Sequence, residues 1–335
     1  MQSNVLLTRC LAALVLVAVA GCERPPVDTQ QTGYRGTGMA DIQNPRDPKA
    51  ADAYPADLAP LPAVGATAGE VYENVQVLGH LTVPEFTRLM TAMTQWVAPA
   101  EGCNYCHVVE NLASDDIYTK VVSRRMIQMN QAINRDWSAH VGDNGVNCYT
   151  CHRGKAVPEY IWFETPATEF AMATFAGNRA GQNAPAPEVG LASLPVDPLS
   201  TFLESGDTAN IRVVSTDAFP GDAPGASIQM TESTYSLMMH LSSALDANCT
   251  YCHNTASFQN WAGSTPQRTT AYHGIDMVRA LNGDYLVPLG STFPAVRLGP
   301  LGDGPKLNCA TCHQGQKKPL GGAPAVAAYP TLAAD

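Results

Sequence analysis

The sequence predicts a mainly α-helical protein with extensive loop, arranged as two pseudo-repeated halves. Amphipathic segments of helical period lead into Cys-x-x-Cys-His pentapeptides, and there are four such pentapeptides along the chain. They fall into two pairs, with a Pro/Ala/Gly-rich stretch between them. Twenty-five prolines and 27 glycines in 335 residues account for the expected loop content.

In chain order, residues 1–21 read as an export signal: Arg9 in a short polar start, an apolar run from Leu11 to Ala20, then Val19-Ala20-Gly21-Cys22. Small residues ahead of a cysteine resemble a bacterial lipoprotein processing box, which makes Cys22 the expected lipidated N-terminus. The apolar run is short of the roughly 20 residues of a transmembrane helix, and an uncleaved signal anchor is the alternative. Residues 22–76 are expected to be irregular. Residues 77–163 form the first half, with helical patterns at Pro84–Ala98 (Phe86, Leu89, Met90, Met93, Trp96, Val97) and Ile117–Trp137. Residues 164–227 are a connector with a β-prone piece at Ile211–Val214. Residues 228–316 form the second half, with helical patterns at Thr231–Leu245 and Ala271–Leu281, and residues 317–335 a C-terminal tail.

The pentapeptides are Cys103/Cys106/His107, Cys148/Cys151/His152, Cys249/Cys252/His253 and Cys309/Cys312/His313. Each supplies two thiols for thioether bonds to a haem and a histidine for one face of its iron. They use eight of the ten cysteines and half of the eight histidines. Zinc knuckles or disulfides leave the four adjoining histidines unexplained, and a thioredoxin-like motif needs a βαβ setting that is not visible. The expected cofactors are therefore four covalently bound c-type haems, in two dihaem halves. The second and fourth copies are alike over eight residues, Asn-Cys-Tyr-Thr-Cys-His-Arg-Gly from Asn147 against Asn-Cys-Ala-Thr-Cys-His-Gln-Gly from Asn308. Thioether haem attachment outside the cytoplasm agrees with the export signal.

A formal charge of −10 argues against nucleic acid and for a basic or dipolar protein partner. Histidines outside the pentapeptides are His80, His140, His240 and His273. Met90, Met126 and Met238 each stand on the helix entering a pentapeptide, which makes them candidate sixth ligands. Met126 and His140 are 14 residues apart, about four helical turns on nearly one face, so one helix is able to serve two haems. For the fourth haem the repeat alone favours Met277, and His140 competes with it. Met239 and His240 compete with Met238 on one turn. His80 and His273 read as surface or propionate-binding residues.

Over nearly all of the mature chain the sequence resembles the tetrahaem cytochrome c subunit of purple bacterial photosynthetic reaction centres. The likeness is carried by Gly33-Tyr34-Arg35-Gly36-Thr37-Gly38-Met39, Cys148–Lys155, Arg297-Leu298-Gly299-Pro300 and Cys309–Gly315. It implies three His/Met haems and one bis-His haem: Met90/His107, Met126/His152, Met238/His253 and His140/His313. It further implies an electron relay, not an enzyme, on the periplasmic face of the photosynthetic membrane. Electrons enter from a soluble donor, a small c-type cytochrome or a high-potential iron–sulfur protein, and leave to the bacteriochlorophyll special pair. The partners are the L, M and H subunits, with Cys22 as lipid anchor and the third pentapeptide nearest the pigments. Arg124, Arg125, Arg153 and Arg297 are expected to tune potentials.

Overall fold

The computed structural model describes residues 27–33, 38–46, 54–166, 189, 192, 194–204, 211 and 227–333. The expected signal sequence, Cys22 and most of Ile211–Val214 lie outside these residues. The N-terminal segment opens with an antiparallel ribbon of β1 (Asp28–Gln31) and β2 (Ala40–Gln43), in register Asp28↔Gln43 to Gln31↔Ala40. A single-turn helix, α1 (Ala68–Val71), follows.

Helix α2 (Val83–Val97) starts where the sequence signals it. Glu85 accepts from the N–H of Thr82 at 3.1 Å and from its hydroxyl at 2.7 Å, and Pro84 occupies the first turn. Leu89, Ala92 and Trp96, at three- and four-residue spacing, bury one stripe. Helix α3 (Tyr118–Asp136) buries Ile127, Met129, Asn130 and Ile133. It stops at Trp137, whose φ −117°, ψ 29° leaves the helical region, and a separate turn, α4 (Ser138–Val141), carries His140 to a close at Gly142 (φ +62°). Met126 and His140, expected on one continuous helix, therefore occupy two. The pentapeptide helix α5 (Cys148–His152) follows, then the short α6 (Leu199–Phe202) from the connector.

Helix α7 (Ile228–Leu245) is capped by Ser227, whose hydroxyl accepts from the N–H of Met230 at 3.1 Å, and it leads into α8 (Cys249–Cys252). Helix α9 (Pro266–Leu281) has proline at its first position and runs on as a π-helical turn, Asn282–Leu286. Gly274 sits in the middle of α9, where glycine costs about 1 kcal/mol against alanine. The last α-helix, α10 (Cys309–His313), holds the fourth pentapeptide.

Two apolar cores hold these elements. One gathers Met129 and Ile133 of α3, Phe202 of α6, Leu237 of α7, Ile275, Met277, Val278 and Leu281 of α9, and Trp162 and Leu307. The other gathers Leu89, Ala92 and Trp96 of α2, Ile127 of α3, and Tyr329 and Leu332. The C-terminal stretch, expected as a covering tail, is thus pinned inside. Tyr329 stacks edge-on against Trp96 at 4.8 Å, and Arg88 lies 4.0 Å above its ring. Burial of these two C-terminal side chains stabilises the fold by about 2 kcal/mol each.

Two asparagines tie α3 and α9 to the approaches to α5 and α10. Asn134 accepts from the N–H of Val146 at 2.7 Å and donates to its carbonyl at 2.9 Å. Asn282 does the same to Leu307, at 2.8 and 3.0 Å. Each also donates to a further carbonyl at 2.7 Å, of Leu332 and Leu203 respectively.

Candidate metal centre

The four pentapeptides fold as short helical turns, which puts both cysteines and the histidine of each on one short stretch of backbone. In α5 and α10 the residue before the first cysteine sets the start: the N–H of Asn147 donates to the Thr150 hydroxyl at 3.1 Å, and that of Asn308 to Thr311 at 3.0 Å. Left-handed residues end both helices, Arg153 (φ 51°) and Gln314 (φ 49°). The glycines that follow hydrogen-bond the long helices α2 and α7, Gly154 N–H to the carbonyl of Trp96 at 2.9 Å and Gly315 N–H to that of Ala244 at 2.8 Å. The first and third pentapeptides share another pair of bonds. The hydroxyls of Thr119 and Thr265 donate to the carbonyls of Tyr105 and Tyr251, each the residue before the second cysteine.

The β-ribbon straps the third pentapeptide. Asn248 Oδ1 accepts from the N–H of Ile42 at 2.9 Å, while Ala40 O accepts from Asn248 Nδ2 at 2.9 Å and Thr250 Oγ1 at 2.6 Å. Lys317, beyond the fourth pentapeptide, closes the strap with a 2.6 Å ion pair to Asp41.

Five histidines share one arrangement. Nδ1 of His107 lies 3.0 Å from Leu112 O, that of His152 2.9 Å from Lys155 O, and that of His253 2.9 Å from Phe258 O. Nδ1 of His313 lies 2.8 Å from Gln316 O and that of His140 2.8 Å from Thr270 O. A carbonyl only accepts, so each Nδ1 carries the proton and each Nε2 keeps its lone pair for a metal. Burial pushes His140, His152 and His253 below the usual imidazole value and His313 down to about 4, which keeps these rings neutral.

The rings of His140 and His313 are neighbours at a steep angle (68°), with centroids 5.9 Å apart. That leaves room for one metal ion bonded to two imidazoles at about 2 Å each. Met126, Cys148, Cys151 and His152 line one apolar cavity of about 400 Å³, whose walls include Tyr105, Cys106, Lys306 and Arg297. Met90 and Met238 are half-buried on α2 and α7, the helices that lead into the first and third pentapeptides. The second and fourth pentapeptides meet: Cys151 and Cys312 have Cα atoms 4.4 Å apart and their sulfurs in bonding contact. Arg153 crosses between them to the carbonyl of Cys312 at 3.2 Å. His80 is exposed and His273 half-buried, whereas His240 is buried.

Arg124 is held by Asp115 at 2.7 Å, and Arg125 donates to the carbonyl of Asp284 and stacks 4.5 Å over Tyr285. The Arg124 guanidinium, with Asn74 and Lys120, holds the Asp115 carboxyl well below the usual carboxylate range and fixes the loop after the first pentapeptide. A depressed folded-state value places this stabilisation above the ordinary aspartate value of about 3.9 and removes it as pH falls through the lower folded value. Asp115→Asn is therefore expected to lower thermal stability slightly at neutral pH and to narrow that deficit in strong acid, read from melting curves across pH. The exposed setting keeps the effect small.

The asparagine clamps and the close fit of Gly274 against His140 escaped the sequence reading. The signal for Gly274 was there, a glycine inside an otherwise regular helical pattern.

Paired thiols with an adjoining, Nδ1-anchored histidine on short helical turns define a c-type cytochrome. The family description "photosynthetic reaction centre cytochrome C subunit" matches residues 23–333. The chain is 53% identical over 330 residues to the photosynthetic reaction center cytochrome c subunit of Rubrivivax gelatinosus, covering 97% of this chain and 88% of that one. It is 48% identical over 328 residues to that of Thermochromatium tepidum (96% and 80% covered) and 46% over 321 residues to that of Roseobacter denitrificans (91% and 85%). This chain belongs to the family of photosynthetic reaction centre cytochrome c subunits. It is an electron-transfer protein that carries covalently bound haem and associates with a reaction centre, and through it with a membrane. No helix among the described residues is long and apolar enough to cross a membrane.

Proposed function

We propose that the chain holds four haems, one at each pentapeptide, with the axial pairs Met90/His107, Met126/His152, Met238/His253 and His140/His313. The observation that carries the reading is the set of five Nδ1-anchored histidines, the four of the pentapeptides and the one histidine facing a pentapeptide ring. The cavity lined by Met126, Cys148, Cys151 and His152 supports the second set. Bound haem supplies reversible one-electron chemistry, with thioether ligation favouring the ferrous form over bis-histidine ligation.

In this reading Cys151 and Cys312 would be thioether donors to separate haems, and their close approach makes the second and fourth haem sites neighbours. The paired asparagine, threonine and glycine bonds support two repeated dihaem halves, 77–163 and 228–316, either side of the 164–227 connector. The donor is a soluble periplasmic cytochrome or iron–sulfur protein, and the acceptor is the photo-oxidised special pair of a complex of L, M and H subunits. Cys22, lipidated after loss of residues 1–21, anchors the subunit on the periplasmic face.

Two measurements test this. Intact mass is expected to show four haem additions with no cysteine of the four pentapeptides open to alkylation. A chain with two haems and a Cys151–Cys312 disulfide contradicts the reading. Flash-induced absorbance in membranes with reduced haems is expected to show fast haem oxidation that vanishes when the chain is deleted. Carbon monoxide binding to the intact reduced protein would instead reveal an open coordination position and support an enzyme.

A further inference from the structure

Gly274 has no backbone reason to be glycine: it lies inside α9, and its φ is not in the left-handed range. Its reason is space. A Cβ built there lies 2.5 Å from Cε1, 2.7 Å from Nδ1 and 3.1 Å from Nε2 of His140. All three close contacts fall on one ring. That ring is fixed from the same helix, since the carbonyl of Thr270, one turn before Gly274, accepts its Nδ1–H at 2.8 Å. Thr270 and Gly274 thus cradle the imidazole, one by a hydrogen bond and one by an absent side chain, with the His313 ring 5.9 Å away between centroids.

The asparagine clamps show what the glycine replaces. Asn134 of α3 and Asn282 at the end of α9 make matching bonds to the residues that precede Asn147 and Asn308. Counted back from them along unbroken helix, buried Ile127, Met129, Asn130 and Ile133 match buried Ile275, Met277, Val278 and Leu281. Met277 then stands opposite Met129, and both sit in the same core, so the repeat does not pair Met277 with Met126. The residue opposite Met126 is Gly274. Helix α9 offers no side chain where α3 offers a thioether, and the break at Trp137 lets His140 enter the space from outside.

Resting on the assignment of His140 and His313 as axial partners, we propose that Gly274 is a positioning residue that makes His140, and no side chain of α9, the second ligand of the fourth haem. The test uses the full-length haem-loaded subunit in membranes, as wild type, Gly274→Ala, His140→Gly and the double variant. Axial ligation is read by electron paramagnetic resonance and a stepwise redox titration.

Gly274→Ala is expected to erase the bis-histidine signal, displace one of four titration steps and open one of four haems to carbon monoxide. With the ring already removed, the added methyl loses all three of its closest contacts. The double variant is therefore expected to match His140→Gly in haem content and spectrum, a non-additivity that general helix damage would not produce. An unaltered bis-histidine signal and titration in Gly274→Ala overturn the proposal. So does a double variant that loses haem when His140→Gly keeps it. A bis-histidine signal that survives His140→Gly removes the axial assignment itself, whereas one lost in His140→Gly but kept in Gly274→Ala removes only the role of Gly274.

Discussion

Met126→Leu is expected to lower the potential of one haem by on the order of 0.1 V, a fraction of the roughly 0.8 V range that axial ligation commands. The same haem is expected to bind carbon monoxide once reduced. Met126 lines the cavity that also holds Cys148, Cys151 and His152, so its sulfur and the second pentapeptide meet one volume. Leucine nearly conserves volume, and such swaps cost under about 1.5 kcal/mol in packing. The substitution therefore removes a thioether without emptying the site. A redox titration resolved by haem, with a carbon monoxide difference spectrum, checks both effects. Four unchanged steps would strike Met126 from the ligand set and return it to the first core, against which it also packs. Met90→Leu and Met238→Leu should each move a different step. If Met238→Leu moves none, its neighbours Met239 and His240 become the candidates on α7.

How much of this was legible beforehand follows from the range of each interaction. The four pentapeptides and the helices leading into them are local patterns, and the helices at 83–97 and 118–136 start and stop within a residue or so of the expected places. Thr82 with Glu85, and Pro266 at a first position, are signals that act over one turn. That the pattern from Ile117 ends at Trp137 was legible, but not that His140 stands on a separate turn; that turn is set by Gly142 and by the contact of His140 with α9.

Legibility failed most for bonds between distant segments. Asn282 clamps Leu307 and Leu203, Asn134 reaches Leu332, and Leu332 completes the second core from a stretch that composition marks as loop. A Pro/Gly-rich composition reports the lack of long regular elements, not exposure, and residues 323–333 hold only a single short 3-10 turn, Pro330–Leu332, while being partly buried. The sixth ligand proposed for the fourth haem is the same kind of case: preferring His140 to Met277 rested on the family resemblance, because the contact that bears on it, Gly274 against the imidazole, joins residues 134 positions apart.

Asn282→Ala is expected to destabilise the protein by about 3–5 kcal/mol, a large share of the 5–15 kcal/mol typical of a folded domain. The side chain is fully buried and holds three backbone groups: it accepts from the N–H of Leu307 and donates to the carbonyls of Leu307 and Leu203. Alanine leaves all three without their partner in a dry setting, at about 1–3 kcal/mol each, less whatever water or relaxation recovers. Asn282→Asp is the sharper comparison. It keeps the acceptor for Leu307 N–H but turns both donors into an anion facing two carbonyl oxygens, so it should be no better than alanine despite its shape. Denaturant unfolding of the haem-loaded protein, followed by far-ultraviolet circular dichroism, measures the loss. Because Leu307 precedes Asn308 and the fourth pentapeptide, the redox step of the haem proposed there should broaden or shift in the same variants while the other steps hold. If stability falls without any change in that step, the clamp supports the fold alone and α10 is positioned by its contacts with α7, such as the bond from Gly315 to Ala244.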